Sequence, residues 1–238
     1  MYKTKMLLWF ALCCLLISCS DPIENNSRIV FELKVIDDTN QPITDVEVST
    51  SLFRRFATAI VFSVSSFEGI LGVGATDAQG DVSLISLEPD QTADRIGVLI
   101  NSNEQFAGDP INQDYGVVIY QLDSIVTKTT LLPDVILKRS AILEIEIIDS
   151  PDIESTLDYT ITYPTRIQQF QFPSGEEAVS DSRTGSGIPG PMGILTFETL
   201  QNTTAMFAYT LTFSTGAVET NTVEIPINQE IVQYALEF

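Results

Sequence analysis

Two tandem β-sandwiches in an all-β chain are what this 238-residue sequence predicts. Three observations carry that reading. Beyond residue 28, apolar and polar residues alternate with period two in short runs. Clusters of Gly, Pro, Asn and Asp break these runs, with no sustained 3.6-residue periodicity between them. The roughly 220 residues after position 18 also suit two units of about 100 each.

The chain opens with Lys3 and Lys5, followed by an apolar run from Met6 to Ile17. A positive flank, a short apolar stretch and a small residue before a cut form a secretory signal. A membrane-spanning helix needs about twenty apolar residues, and this run is shorter. An uncleaved anchor and an ordinary signal peptide cut elsewhere are the two alternatives. "SDPIENNS", residues 20 to 27, is polar and turn-rich and reads as a tether.

In the first unit, residues 28–139, Phe31, Leu33 and Val35 share one strand face, with Glu32 and Lys34 opposite. After the turn "DDTNQP", Val46, Val48 and Leu52 do the same. Val82 and Leu84 follow the turn "DAQG", where Gly80 supplies the positive φ of a tight hairpin. Ile96, Val98 and Ile100 form a further strand. The segment 53–67 is ambiguous, because Phe53, Phe56, Ile60, Val64 and Phe67 recur at helical spacing. Its Ile, Val, Phe and Ser content favours strand for its second half.

The second unit, residues 140–238, opens on "ILEIEII", with Leu143, Ile145 and Ile147 on one face. "LDYTITYP", "GILTFETL", "AMFAYTLTF", "NTVEIPI" and "IVQYALEF" supply more short strands. The last aligns Val232, Tyr234, Leu236 and Phe238 and is expected to pair inside a sheet.

Two resemblances rest on these residues. Leu16, Ile17, Ser18 and Cys19 resemble the lipobox of bacterial lipoproteins. The resemblance implies lipidation of Cys19, cleavage before it (residues 1–18 removed, 19–27 a lipidated tether) and palmitate-type acyl chains. Two or more chains hold a protein stably on a membrane. Ser20, where an inner-membrane retention signal would have Asp, implies the outer membrane, in either leaflet. Asp21 and Glu24 loosely resemble a surface-export signal.

"VIDDTNQPITDVEVS", "TDAQGDVSLISL" and "LLPDVILKR" together resemble the carboxypeptidase regulatory-like, transthyretin-like sandwich over residues 28–139. That family implies an accessory Ig-like module without catalytic residues. The stretch between Val48 and Thr76 is longer than its compact pattern.

Composition excludes more than it selects. All three cysteines lie at or before residue 19, and there is no histidine. Disulfides, thiolate chemistry, histidine triads and the usual zinc sites therefore have no residues to use in residues 20–238. Residues 19–238 keep all 32 acids and lose Lys3 and Lys5 from the 12 cations, a formal charge of −22. Such a surface repels phosphate backbones and argues against nucleic acid as a partner.

Candidate sites are few. Asp37, Asp38, Asp77 and Asp81 could offer oxygens to calcium, but Asp is favoured in turns and the spacing matches no EF-hand. No metal or cofactor is expected. Glu176 and Glu177 are adjacent, so on a strand they point apart, unlike a glycosidase pair. "GILGVGATD" and "GSGIPGPMG" open no helix and read as strand or bulge glycines and as a loop. Ser124, in Asp123-Ser124-Ile125, is a candidate for O-glycosylation, and Asn202-Thr203-Thr204 matches the N-glycan sequon. The loop 101–115, with Phe106, Asp109, Gln113 and Tyr115, suits sugar or peptide contacts. The loop 173–193 is the longer and more mobile of the two.

The reading that follows is a lipid-anchored, non-enzymatic envelope protein, structural, adhesive or partner-binding. A glycan-capture lipoprotein of an uptake system and a carboxylate-dependent hydrolase are the alternatives.

Overall fold

The computed structural model describes residues 23–57, 63–89, 94–103, 109–122, 127–148, 155–174, 176–187 and 193–237. Every regular element among them is a β-strand. In the first half these are β1 (Ile23–Ile36), β2 (Glu47–Ala57), β3 (Ser63–Ala75), β4 (Asp81–Pro89), β5 (Asp94–Ile100), β6 (Val117–Leu122), β7 (Thr129–Leu131) and β8 (Val135–Ile136). The second half adds β9 (Ser140–Ile148), β10 (Ser155–Phe172), β11 (Glu176–Gly187), β12 (Gly193–Leu200), β13 (Thr203–Phe213), β14 (Val218–Ile227) and β15 (Ile231–Glu237). The chain is all-β, as its alternation predicts.

Three sheets organise these strands. A small sheet runs β4–β1–β7, with β8 also on β1. A large sheet runs β14–β13–β10–β6–β5–β2–β3, with β11 on β10. The third is β12–β9–β15. The small sheet faces β2, β5 and β6 across a core of Ile29, Phe31, Leu33, Val35, Val48, Leu52, Val98, Ile100 and Tyr120. The third sheet faces β10, β13 and β14 across a second core of Leu143, Ile145, Ile161, Phe207, Leu211 and Ile227. The alternating residues of β1 and β9 are thus the ones that enter the two cores.

β10 connects the two. Its first half pairs antiparallel with β13, from Ser155–Phe213 to Thr162–Met206. Its second half pairs parallel with β6, from Ile167–Val117 to Phe172–Leu122. Phe170 and Phe172 pack on the first core, and Phe170 stacks on Tyr120 with ring centroids 5.4 Å apart. Residues 163–166 make the hand-over, where the β10–β11 ladder also shifts register. Pro164 lies in this interval, where a missing N–H costs least.

Several details depart from the sequence reading. The described residues of the ambiguous segment 53–67 are all strand: β2 and β3 pair antiparallel, with Phe53 opposite Phe67 and Phe56 opposite Val64. The helical spacing runs across the ends of two separate strands. The span 173–193 is not simply a loop, since residues 176–187 are β11. Its polar Ser, Asp and Gly content hides a strand that is specified by its partner β10. Gly185 has the reason for its identity there, as a Cβ would stand 2.4 Å from the Tyr159 ring. Finally, β15 does not lie inside a sheet. It pairs with β9, in parallel, and among the described residues forms the edge. "LLPDVILKR" yields two short strands, β7 and β8, parallel to β1 on either side of Pro133.

Candidate functional site

Cys19, Phe106 and Ser124 fall outside the described residues. The remainder of the 101–115 loop is pinned by Asn101, which sits in the left-handed region at φ 57° and is 2% exposed. Its Nδ2 donates to the carbonyls of Asn112 (2.9 Å), Tyr115 (3.3 Å) and Gly116 (3.0 Å). Its Oδ1 accepts from the Asn112 N–H at 2.8 Å. One buried amide thus satisfies four backbone groups. Asn101→Ala is expected to cost roughly 3 kcal/mol through those orphaned groups. Urea unfolding would show this as a lower midpoint at unchanged m. Asn101→Gly, which keeps the backbone conformation without the amide, should lose nearly as much.

Tyr115 is a structural residue of this loop. Its ring packs against the first core and lies under the Arg139 guanidinium, 5.4 Å from the ring centroid. Gln113 donates from Nε2 to the Pro110 carbonyl at 2.7 Å. Asp109 is exposed.

The acidic candidates resolve into turn chemistry. Asp37 Oδ1 accepts from the N–H groups of Thr39 and Gln41, both at 2.8 Å, and from the Thr39 hydroxyl. The Gln41 N–H first, then the Thr39 hydroxyl, hold this carboxyl below its ordinary range, so the turn uses the ionised form. Asp77 Oδ1 similarly accepts from Gln79 and Asp81 N–H groups. Asp81 faces Lys34 at 3.7 Å, and Asp38 accepts from Asn202 Nδ2, the sequon amide. Among the described residues no three acids converge as a metal would need. Glu176 and Glu177 are successive residues of β11, opposite Gln171 and Phe170.

Where β10 changes partner, a groove of about 650 Å³ opens along the seam of the two cores. Its lining comes from β10 (Tyr163, Thr165, Arg166), β11 (Asp181, Arg183), β12 (Thr196, Phe197, Glu198) and Asp109 of the loop. Tyr163 is 3% exposed and packs on Phe197, with centroids 5.1 Å apart. Burial raises its phenol pKa, with Arg183 opposing and Asp181, which accepts its hydrogen bond, adding to the rise.

Around this aromatic floor Arg166 Nε lies 3.5 Å from Glu198 and Arg183 Nε 3.9 Å from Asp181. The seam is closely built. A Cβ on Gly116 would stand 2.7 Å from the Arg166 carbonyl and 2.6 Å from a Leu200 methyl. Thr199 Oγ1 donates to the Pro164 carbonyl at 2.7 Å.

Such a groove offers two guanidinium groups, three carboxylates and an aromatic base. That inventory suits recognition of a polar ligand by ion pairs and hydrogen bonds. Only Asp109 was legible as a site residue beforehand. The signal for the others was Pro164 breaking an otherwise regular strand beside a lone arginine. A shallower depression of about 460 Å³ lies on the outer face of β11, β10 and β13, lined by Thr160, Thr184, Ser186 and Thr210.

No protein-family model matches the chain, and no curated protein matches it. Among solved structures it is similar to the Bacillus anthracis TIE protein at 15% identity and TM-score 0.29. That likeness covers 89% of this chain but 34% of the other, so the chain spans about a third of that relative. A streptococcal ancillary pilin is similar at 11% identity and TM-score 0.28, over 89% of this chain and 63% of that one. The fimbrial anchor protein Mfa2 from Porphyromonas gingivalis gives 11% identity and TM-score 0.32, over 88% and 90%.

Proposed function

We propose that this chain is a lipid-anchored, non-catalytic protein of the cell envelope that holds a partner, in a structural or adhesive role, at the outer membrane. The observation that carries the reading is the seam groove. A strand common to both cores positions its floor, so the groove sits on a stiff body suited to binding. The lipobox residues Leu16 to Cys19 support the anchor, and the missing histidines and thiols support a role without covalent chemistry. The groove's described lining offers charged, hydroxyl and aromatic side chains, which suits binding by ion pairs and hydrogen bonds.

The decisive measurement is made on cells expressing the full chain with Cys19 or with Cys19→Ala. Wild type should incorporate labelled palmitate and stay with the membrane fraction; Cys19→Ala should do neither. Crosslinking from groove positions should then recover one protein or polysaccharide in stoichiometric amount. Turnover of a polysaccharide or ester, abolished by changing one acid, would overturn the non-catalytic reading.

Glycan capture is the second reading, favoured by one observation: Asp109 of the 101–115 loop lines the groove. A glycan array on the lipid-free protein tests it. Specific binding lost in both Asp109→Ala and Arg183→Ala would establish it. Loss on Tyr115→Ala alone would report the loop's folding instead.

A further inference from the structure

We propose that the outer face of the β4–β1–β7 sheet lies flat on the bilayer that carries the Cys19 anchor, an inference that rests on the anchoring reading above. Three observations on one face lead there.

The first is an apolar stripe. Ile85 on β4 is 62% exposed and pairs with half-buried Val30 on β1, and Leu131 on β7, one step further along, is 66% exposed. Ile136 on β8, 49% exposed, pairs with Ile36 on the same face of β1. Ile85, Leu131 and Ile136 thus present large aliphatic side chains to solvent from three strands flanking β1.

The second is charge. From Arg28 to Lys34 this face carries Arg28, Lys34, Glu32 and Asp81, two cations against two acids, with Lys34 and Asp81 paired. Residues 19–238 as a whole have a formal charge of −22. An anionic leaflet repels most of that surface, and approach costs least where the local charge cancels.

The third is reach. β1 begins at Ile23, inside the stretch 19–27 read as a tether, so three residues separate it from Cys19, at most about 14 Å of chain. The lipid therefore holds this sheet near the membrane at high effective concentration, and a weak apolar contact is enough to keep it docked.

The test uses the full-length lipidated protein in vesicles of phosphatidylethanolamine and phosphatidylglycerol with brominated acyl chains. Once Cys19 is a thioether, residues 19–238 contain no other thiol, so Ile85→Cys, Leu131→Cys and Thr222→Cys can each carry one environment-sensitive fluorophore. Thr222, on β14 of the large sheet, is the control. Bromolipid should quench the labels at 85 and 131 about twofold and leave 222 unchanged, as expected for groups at the headgroup boundary.

Vesicle-bound protein with all three labels equally unquenched would overturn the docking while leaving the anchor standing. Protein that fails to float with vesicles and shows a free Cys19 thiol by mass spectrometry would overturn the anchor and the docking together. A shift at 85 that grows with protein concentration in detergent, without vesicles, would assign the face to a second copy and also overturn it.

Discussion

Phe207→Ala is expected to destabilise the protein by about 3–5 kcal/mol, the range for deleting a fully buried aromatic ring. Phe207 has no exposed surface and is the hub of the second core. Its ring lies 5.9 Å from Tyr159, 5.6 Å from Tyr209 and 6.2 Å from Tyr234, in tilted and edge-on geometries. Truncation therefore removes both the buried area and three ring pairings. Residues 19–238 contain no tryptophan and six tyrosines, so these three carry a large share of the near-ultraviolet dichroism of that chain. The variant should flatten that signal and lower the urea midpoint together. Phe207→Leu, closer in volume, should cost under half as much. A midpoint unchanged in the alanine variant would mean that this cluster does not organise the core.

The second large effect concerns the division of the chain. A protein ending at Arg139 keeps every strand up to β8 but loses β10, which supplies the outer hydrogen-bonding partner of β6. It also loses Phe170 and Phe172 from the first core. Full burial of such a side chain is worth about 1.5–3 kcal/mol, so losing these two half-buried rings should weaken the remaining half by roughly 2 kcal/mol or more. An open β6 edge adds a tendency to associate. The expected result is a fragment of residues 23–139 that binds a hydrophobic dye and melts well below the first transition of the whole protein. Cooperative melting of the fragment at the same temperature as in the full chain would show that β10 contributes nothing to it.

That dependence marks the limit of what the sequence discloses. Strands whose faces differ were legible: Phe31, Leu33 and Val35 of β1 and Leu143, Ile145 and Ile147 of β9 are buried as their alternation predicts. Turn chemistry was legible too, since Gly80 adopts φ 76° where "DAQG" requires it.

Partner choice was not. β10 reads as one strand followed by an undefined stretch because its second half, "TRIQQFQF", owes its pairing to β6, fifty residues earlier. β11 has no apolar face to announce it. The groove suffers from the same blindness, as Tyr163, Arg166, Arg183 and Glu198 come from three strands that only the fold brings together. Tyr115 is a ligand-contact candidate from its place in an aromatic loop, and only the fold shows that its ring also packs on the first core under Arg139.

The parallel pairs at the two ends of the chain determine how the protein would answer a pull. β1 runs parallel to β7 and β8, and β9 runs parallel to β15 from Ile142–Ile231 to Ile148–Glu237. Tension applied between residues 23 and 237 draws parallel neighbours past one another lengthwise, so their hydrogen bonds share the force rather than opening one by one. Rupture is then governed by a concerted sliding step with a high barrier. A body tugged from both ends would yield late and abruptly.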